Sequence, residues 1–191
     1  MTVQNPAAAA ALTDSPAAVA GAAAHSSTPT AVHAAAPMAP PSALAVALLG
    51  TLALCLAMGL GRFAFTPLLP LMLRDGSITL AEGGWLAAAN YLGYFVGAAA
   101  CAGLPAVWRR CTGREAPAGR LAWGGLVATW LLLLAMAVPW PALWPWARFL
   151  AGVASALTFV FTSAWCMPRL ALRGGGHLAG LVYTGPGVGI V

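Results

Sequence analysis

Charged residues are scarce in this chain, and lysine is absent altogether. Only 7% of the 191 residues are charged, whereas 61% are hydrophobic. A soluble domain has about 25% charged residues, so this composition excludes a soluble globular domain, a disordered protein and a coiled coil. The nine positive charges are all arginines. They lie at the edges of apolar runs and not on one contiguous face, which argues against a nucleic-acid-binding surface.

Catalytic and metal-binding motifs are missing as well. The chain has no G-x-S-x-G and no H-E-x-x-H sequence, and its cysteines have neither metal-ligand nor redox spacing. We interpret the cysteines as small buried hydrophobic residues; they are Cys55, Cys101, Cys111 and Cys166. The pattern predicts no enzyme, no bound metal and no cofactor. The alternative of an intramembrane enzyme would require a nucleophile with its base, or a set of metal ligands, together within the spans.

Residues 1–42 differ in composition from the rest of the chain. They are rich in alanine, proline, serine and threonine, and no apolar periodicity runs through them. We predict a disordered tail. The segment lacks the basic start and compact leucine-rich core of a signal peptide.

From residue 43 onward the chain is a series of five apolar blocks. They are Ala43–Leu73, Gly84–Val107, Leu121–Val138, Trp144–Met167 and Leu178–Val191. A transmembrane helix needs about 20 apolar residues, so the first four blocks predict four spans and the last predicts a fifth that is cut short. The fold class is therefore an all-α, polytopic membrane helix bundle. The first block is long enough to tilt or kink, and Pro67 and Pro70 offer a place for the kink.

The distribution of arginine among the loops predicts the orientation in the membrane. The loops after blocks one to four contain one, four, no and two arginines, which are Arg74, then Arg109, Arg110, Arg114 and Arg120, then Arg169 and Arg173. Arginine-rich loops are cytoplasmic under the positive-inside rule. We therefore expect a multi-pass protein of the inner membrane with a cytoplasmic N-terminus. Trp140, Trp144 and Trp146 would form an aromatic belt at the outer surface.

Arg62 is the residue in the spans whose insertion into the membrane costs the most free energy. An arginine at the centre of a helix costs about 2.5–3.5 kcal/mol on insertion, and ionisable residues inside a membrane usually mark functional sites. We predict that Arg62 faces a cavity and attracts an anionic group of a solute. Thr66 follows four residues later on the same helical face. The alternative is a residue that snorkels towards the membrane surface.

Polar and small residues in later blocks suggest further contacts. Asn90 and Tyr94 share one face of the second span, and a solute contact or an interhelical hydrogen bond would explain Asn90 equally well. Arg148 opens the fourth block between Trp146 and Phe149, as expected for an anchor at the membrane edge. Small residues at GxxxG-type spacing predict close helix packing; they are Gly93 and Gly97, Gly152 and Ala156, and Gly185 and Gly189. Pro186 permits a bend.

Several of these runs resemble one branch of the major facilitator superfamily, the YbfB/YjiJ-like family. Residues 59–72, GLGRFAFTPLLPLM, resemble its first helix, and residues 88–94, AANYLGY, resemble its second. Residues 148–156 are similar to its fourth helix and match the superfamily motif of Arg148 followed by Gly152. Gly185, Pro186 and Gly189 resemble the Gly-Pro motif of helix five. The resemblance covers about residues 43–191.

The resemblance implies a secondary transporter of a small solute within the lipid bilayer, with twelve helices in the full carrier. We therefore expect this chain to be the N-terminal portion of a transporter that needs its C-terminal half for transport. Alternating access would come from rocking of the two halves. Two alternatives remain: a structural or assembly membrane protein that pairs through its glycine-rich faces, and the product of a degenerate gene.

Overall fold

The computed structural model describes residues 41–190. The predicted tail lies almost wholly outside the described residues, as does Val191. Within the described part, every regular element is helical. The α-helices are α1 (Ala43–Leu54), α2 (Phe65–Arg74), α3 (Leu80–Thr112), α4 (Ala118–Met136), α5 (Trp144–Leu172) and α6 (Ala179–Val188). A π-helix, Cys55–Phe63, joins α1 to α2, and short 3-10 turns at Pro141–Leu143 and Gly176–Leu178 precede α5 and α6.

Four helical stretches of the described residues are long and apolar enough to cross a membrane. They are Ala43–Arg74, Leu80–Thr112, Ala118–Met136 and Pro141–Leu172. Each corresponds to one of the four predicted spans. The prediction of an all-α polytopic membrane protein is confirmed.

Local capping interactions mark both ends of α3. Thr79 and Glu82 form a capping box at the start of α3: the Thr79 backbone N–H donates to Glu82 Oε2 at 2.7 Å, and the Glu82 N–H donates to Thr79 Oγ1 at 3.2 Å. Such a box satisfies two N–H groups that a helix terminus leaves without partners. Gly113 ends α3 with φ = 67°, a conformation that costs glycine least. The capping box explains why α3 begins before the apolar block at Gly84.

The first span is irregular in its middle. The nine residues of the π-helix Cys55–Phe63 have the wider i→i+5 hydrogen-bond spacing, and α-helical geometry resumes at Phe65. Pro67 has no N–H, and its ring conflicts with the carbonyl of the residue four positions earlier, Phe63. The π-helix therefore ends at Phe63, the residue whose carbonyl would clash with the Pro67 ring in a regular α-helix. The π-helix lies on the N-terminal side of Pro67 and Pro70, whereas the sequence predicted a kink at the prolines themselves.

Helices α3 and α5 approach each other closely through glycines. A Cβ atom on Gly97 would lie 2.8 Å from Val153 Cα and 3.0 Å from Ala156 Cβ, and one on Gly152 would overlap the backbone of Asn90 in α3. A Cβ on Gly93 would meet the Phe149 carbonyl. In a membrane, where lipid is as apolar as leucine, small residues allow the close van der Waals contact that holds helices together. These backbones therefore depend on glycine.

A second glycine contact joins α6 to the first span. Gly185 lies against the Thr51 backbone, and Gly189 lies against the π-helix at Gly59. Thr51 Oγ1 donates to the Leu181 carbonyl oxygen at 2.9 Å. A buried apolar cluster of the first span, α5 and α6 continues this contact; it contains Val46, Ala47, Leu54, Cys166, Leu170 and Val182. The first span, α5 and α6 thus share one core.

We predict that Gly97→Ala destabilises the protein while Gly103→Ala, in the same helix, does not. A Cβ at position 97 would press on Val153, and such overpacking typically costs about 1–3 kcal/mol. Apart from the neighbouring backbone of its own helix, nothing lies within 4 Å of the Cβ position at Gly103, and alanine there improves helix propensity by about 0.8–1 kcal/mol. Thermal unfolding of the two variants in neutral detergent, followed by gel filtration, measures the difference. Equal midpoints would contradict the close α3–α5 contact.

Candidate functional site

Arg62 lies near the middle of the first span, at the C-terminal end of the π-helix. Its side chain is only partly exposed, and its Nε atom is buried without a hydrogen-bond partner in the described residues. A guanidinium carries five N–H donors and no acceptor. Arg62 therefore retains hydrogen-bonding capacity inside the span.

Aromatic rings surround the Arg62 guanidinium. Its Cζ atom lies 4.1 Å from the centroid of the Tyr94 ring, 4.7 Å from that of Tyr91 and 5.6 Å from that of Phe63. Each distance is within the roughly 6 Å at which a ring face attracts a cation. These rings stabilise the charge without neutralising it. The structure thus brings together two of the residues predicted from the sequence, Arg62 and Tyr94.

Tyr91 and Phe63 complete the ring set, and the sequence interpretation did not include them. Phe63 follows Arg62 directly in the chain, and Tyr91 lies three residues before Tyr94. The spacing of Tyr91 and Tyr94 at i and i+3 was a usable signal, because side chains three apart lie on neighbouring positions of one helical face.

Asn90 connects α3 to α5. The side chain is 2% exposed, and its Nδ2 atom donates to the Arg148 carbonyl oxygen at 2.9 Å. This contact is the interhelical hydrogen bond that the sequence offered as one of two explanations. Asn90 therefore holds the α5 backbone beside the rings of α3.

Thr66 lines a surface cleft that does not include Arg62. It is exposed and lines the cleft, of about 440 Å³, together with Phe63, Pro67, Gly189 and Ile190. The shared-face argument assumed α-helical spacing from Arg62 to Thr66, whereas the π-helix ends at Phe63.

Arg148 is buried, so it is not an exposed anchor at the membrane edge. It is 3% exposed and its Cζ atom lies 4.6 Å from the centroid of the Phe65 ring. Its Nη2 atom lies 3.5 Å from the carbonyl oxygen of Arg62. Two arginines thus occupy adjacent positions within the bundle, one directed at the rings of α3 and the other stacked on Phe65.

Carboxylates do not balance these two charges. Within residues 41–190, the one ion pair joins Arg109 to Glu115, both largely exposed. Glu82 is engaged in the capping box of α3. In the same residues, no group of three histidine, cysteine, aspartate or glutamate side chains lies close enough to hold a metal ion. The electrostatic character of the site is therefore that of uncompensated cations among aromatic rings.

The glycines of the helix-four and helix-five motifs are in contact inside the molecule. Gly152 lies against Asn90 and Tyr94 of α3, and Gly185 and Gly189 lie against the first span. Pro186 is inside α6, which continues to Val188. These small residues therefore position the helices that carry the arginines and the tyrosines.

Comparison with known proteins identifies the family. No curated protein and no solved structure matches the chain. A family model described as uncharacterised MFS-type transporter YbfB matches residues 54–191, which include the arginines, the rings and the glycine contacts described above. Because the match covers well over half of the sequence, the chain belongs to this YbfB family of major facilitator superfamily transporters.

Proposed function

We propose that this chain forms the solute-binding face of a secondary transporter for a small solute that carries an anionic group. The observation on which the proposal depends is the partly exposed Arg62 guanidinium, held among three aromatic rings with no carboxylate partner in the described residues. Insertion of a charged residue into a membrane span costs free energy, and such residues usually serve a function. The charge of Arg62 therefore favours a functional role for this residue.

The aromatic rings suggest how the solute would be held. The ring faces keep the Arg62 side chain in one orientation, so its free N–H groups are pre-arranged for an oxyanion. Tyr94 is partly exposed and Tyr91 is 55% exposed, so a solute could contact the rings as well as the charge. We propose that Arg62 provides the attraction and the two tyrosines provide the contact surface.

Transport itself requires a second half of the carrier. The superfamily works by rocking two six-helix halves around a central site. We propose that the exposed side of Arg62 faces such a half and that these 191 residues bind solute without moving it. The alternative of assembly through glycine-rich faces has less support, because those glycines already pack against helices of the same chain.

Arg62→Gln should reduce uptake of an anionic solute at least tenfold in the complete carrier. A hydrogen bond to a charged group contributes about 1.5–3 kcal/mol, and each 1.4 kcal/mol corresponds to a tenfold change. The measurement is uptake of radiolabelled small carboxylates and phosphate esters at equal expression. Arg62→Lys should retain part of the activity because it keeps the charge.

The matched control is Arg74→Gln. Arg74 is an exposed arginine at the end of the same span, so its substitution removes one charge outside the proposed site. Its uptake should equal that of the unsubstituted carrier. Unchanged uptake by Arg62→Gln would eliminate the proposed role of Arg62.

We also propose that the protein lies in the inner membrane with the arginine-rich loops in the cytoplasm. Cys111, at the end of α3, is the one exposed cysteine of the four. A membrane-impermeant maleimide should therefore label it in inverted vesicles and not in spheroplasts. In a Cys111→Ser background, Val138→Cys, at the other end of α4, should show the opposite pattern. Labelling of Cys111 in intact spheroplasts would reverse the orientation.

A further inference from the structure

The buried guanidinium of Arg148 is not used by the proposed solute site at Arg62. Its Nε atom is buried and has no hydrogen-bond partner in the described part of the chain. The contact between its Nη2 atom and the Arg62 carbonyl, at 3.5 Å, is at the limit of hydrogen-bonding distance. The ring of Phe65 covers one face of the group.

A buried cation in these surroundings lacks a counter-charge. Transfer of a charge out of water is strongly unfavourable unless an opposite charge and hydrogen bonds compensate it. Among residues 41–190, no carboxylate forms an ion pair with Arg148. The Phe65 ring supplies part of the compensation, since the face of an aromatic ring attracts a desolvated cation. An anion from outside the described chain would supply the rest.

A cavity lies next to the guanidinium. Its volume is about 250 Å³ and, besides Arg148, it is lined by apolar side chains that include Phe65, Leu68, Met72, Leu133, Met136 and Ala137. Ligand pockets commonly measure about 300–1,000 Å³, so this cavity suits a small molecule. Methionine adapts its shape to irregular ligands. The cavity thus combines one cation with a flexible apolar wall.

We propose that this cavity, between α2, α4 and α5, binds a small organic anion with an apolar body. The anionic group would accept hydrogen bonds from the Arg148 guanidinium, and the apolar body would contact Phe65, Met72 and Met136. The site is separate from the proposed solute site, because Arg62 does not line the cavity. Its ligand class is an aryl or short alkyl carboxylate.

The test uses 4-fluorobenzoate as the probe and the purified chain in neutral detergent. Fluorine NMR line broadening measures binding, and 4-fluorobenzamide serves as the neutral analogue of nearly equal shape. We expect saturable binding of the carboxylate that is at least tenfold tighter than that of the amide. Equal binding of the two probes would overturn the proposal, since an apolar cavity alone would then account for the signal.

Two substitutions locate the binding. In an Arg62→Gln background, where the proposed solute site is removed, Arg148→Gln should abolish the preference for the carboxylate. Arg148 is buried, so its substitution could also affect folding, and Ala137→Leu provides a second variant. Ala137 is exposed and lines the cavity. A larger side chain there should fill the cavity and weaken binding of the probe at least tenfold. Val138→Leu, also exposed but not lining the cavity, is the matched control and should bind normally. Normal binding by Ala137→Leu would overturn the proposed location.

Two further measurements separate this site from other sources of binding. Arg62→Gln should retain the probe even if it loses uptake, so the two sites can fail independently. Loss of the probe in Arg62→Gln, with retention in a folded Arg148→Gln, would assign the probe to the Arg62 site. Oleate distinguishes a membrane carboxylate from a small solute. Displacement of the probe by oleate at lower concentration than by benzoate would overturn the small-solute assignment.

Discussion

The close approach of α3 and α5 is the contact on which the arrangement of the site depends. Gly93, Gly97 and Gly152 allow the two backbones to meet without intervening side chains. Asn90 can then donate directly to the Arg148 carbonyl at 2.9 Å. A larger residue at any of these glycines would separate the helices, and the tyrosines of α3 would move away from the first span.

The two arginines show how one costly residue type is accommodated in two different ways. Arg62 lies against three rings and remains partly exposed, so it can be reached from outside the bundle. Arg148 is 3% exposed and lies against one ring and an apolar cavity. Both charges lack a carboxylate partner among residues 41–190. The two guanidinium groups therefore differ in their access from outside the bundle and not in their charge.

The irregular first span links these two surroundings. The π-helix ends at Phe63, and the regular helix α2 begins at Phe65, the residue on which Arg148 stacks. The carbonyl oxygen of Arg62, which belongs to the π-helix, lies 3.5 Å from Arg148 Nη2. A backbone carbonyl of the π-helix therefore lies beside the guanidinium of Arg148, and π-helical segments are frequent at functional sites.

Much of the architecture follows from short stretches of sequence. Hydropathy over about 20 residues is enough to predict a span, and a threonine followed three residues later by a glutamate is enough to predict a helix start. Arg62 was recognisable in the sequence as a candidate site residue, because charge in a span is rare and its cost is known. Tyr91 and Tyr94 are three residues apart and therefore share a helical face, but the contact of both rings with Arg62 required the structure.

The sequence by itself determined the helical class, the positions of four spans and the cation at the centre of the first, since hydropathy and helix capping act over a few neighbouring residues. Only the tertiary structure decided where the side chains point. The burial of Arg148, the cavity beside it and the placement of Thr66 in a cleft that Arg62 does not line depend on contacts between distant parts of the chain and on the i→i+5 spacing of Cys55–Phe63. A composition pattern cannot reveal them, because one change in helical spacing redirects every side chain that follows it.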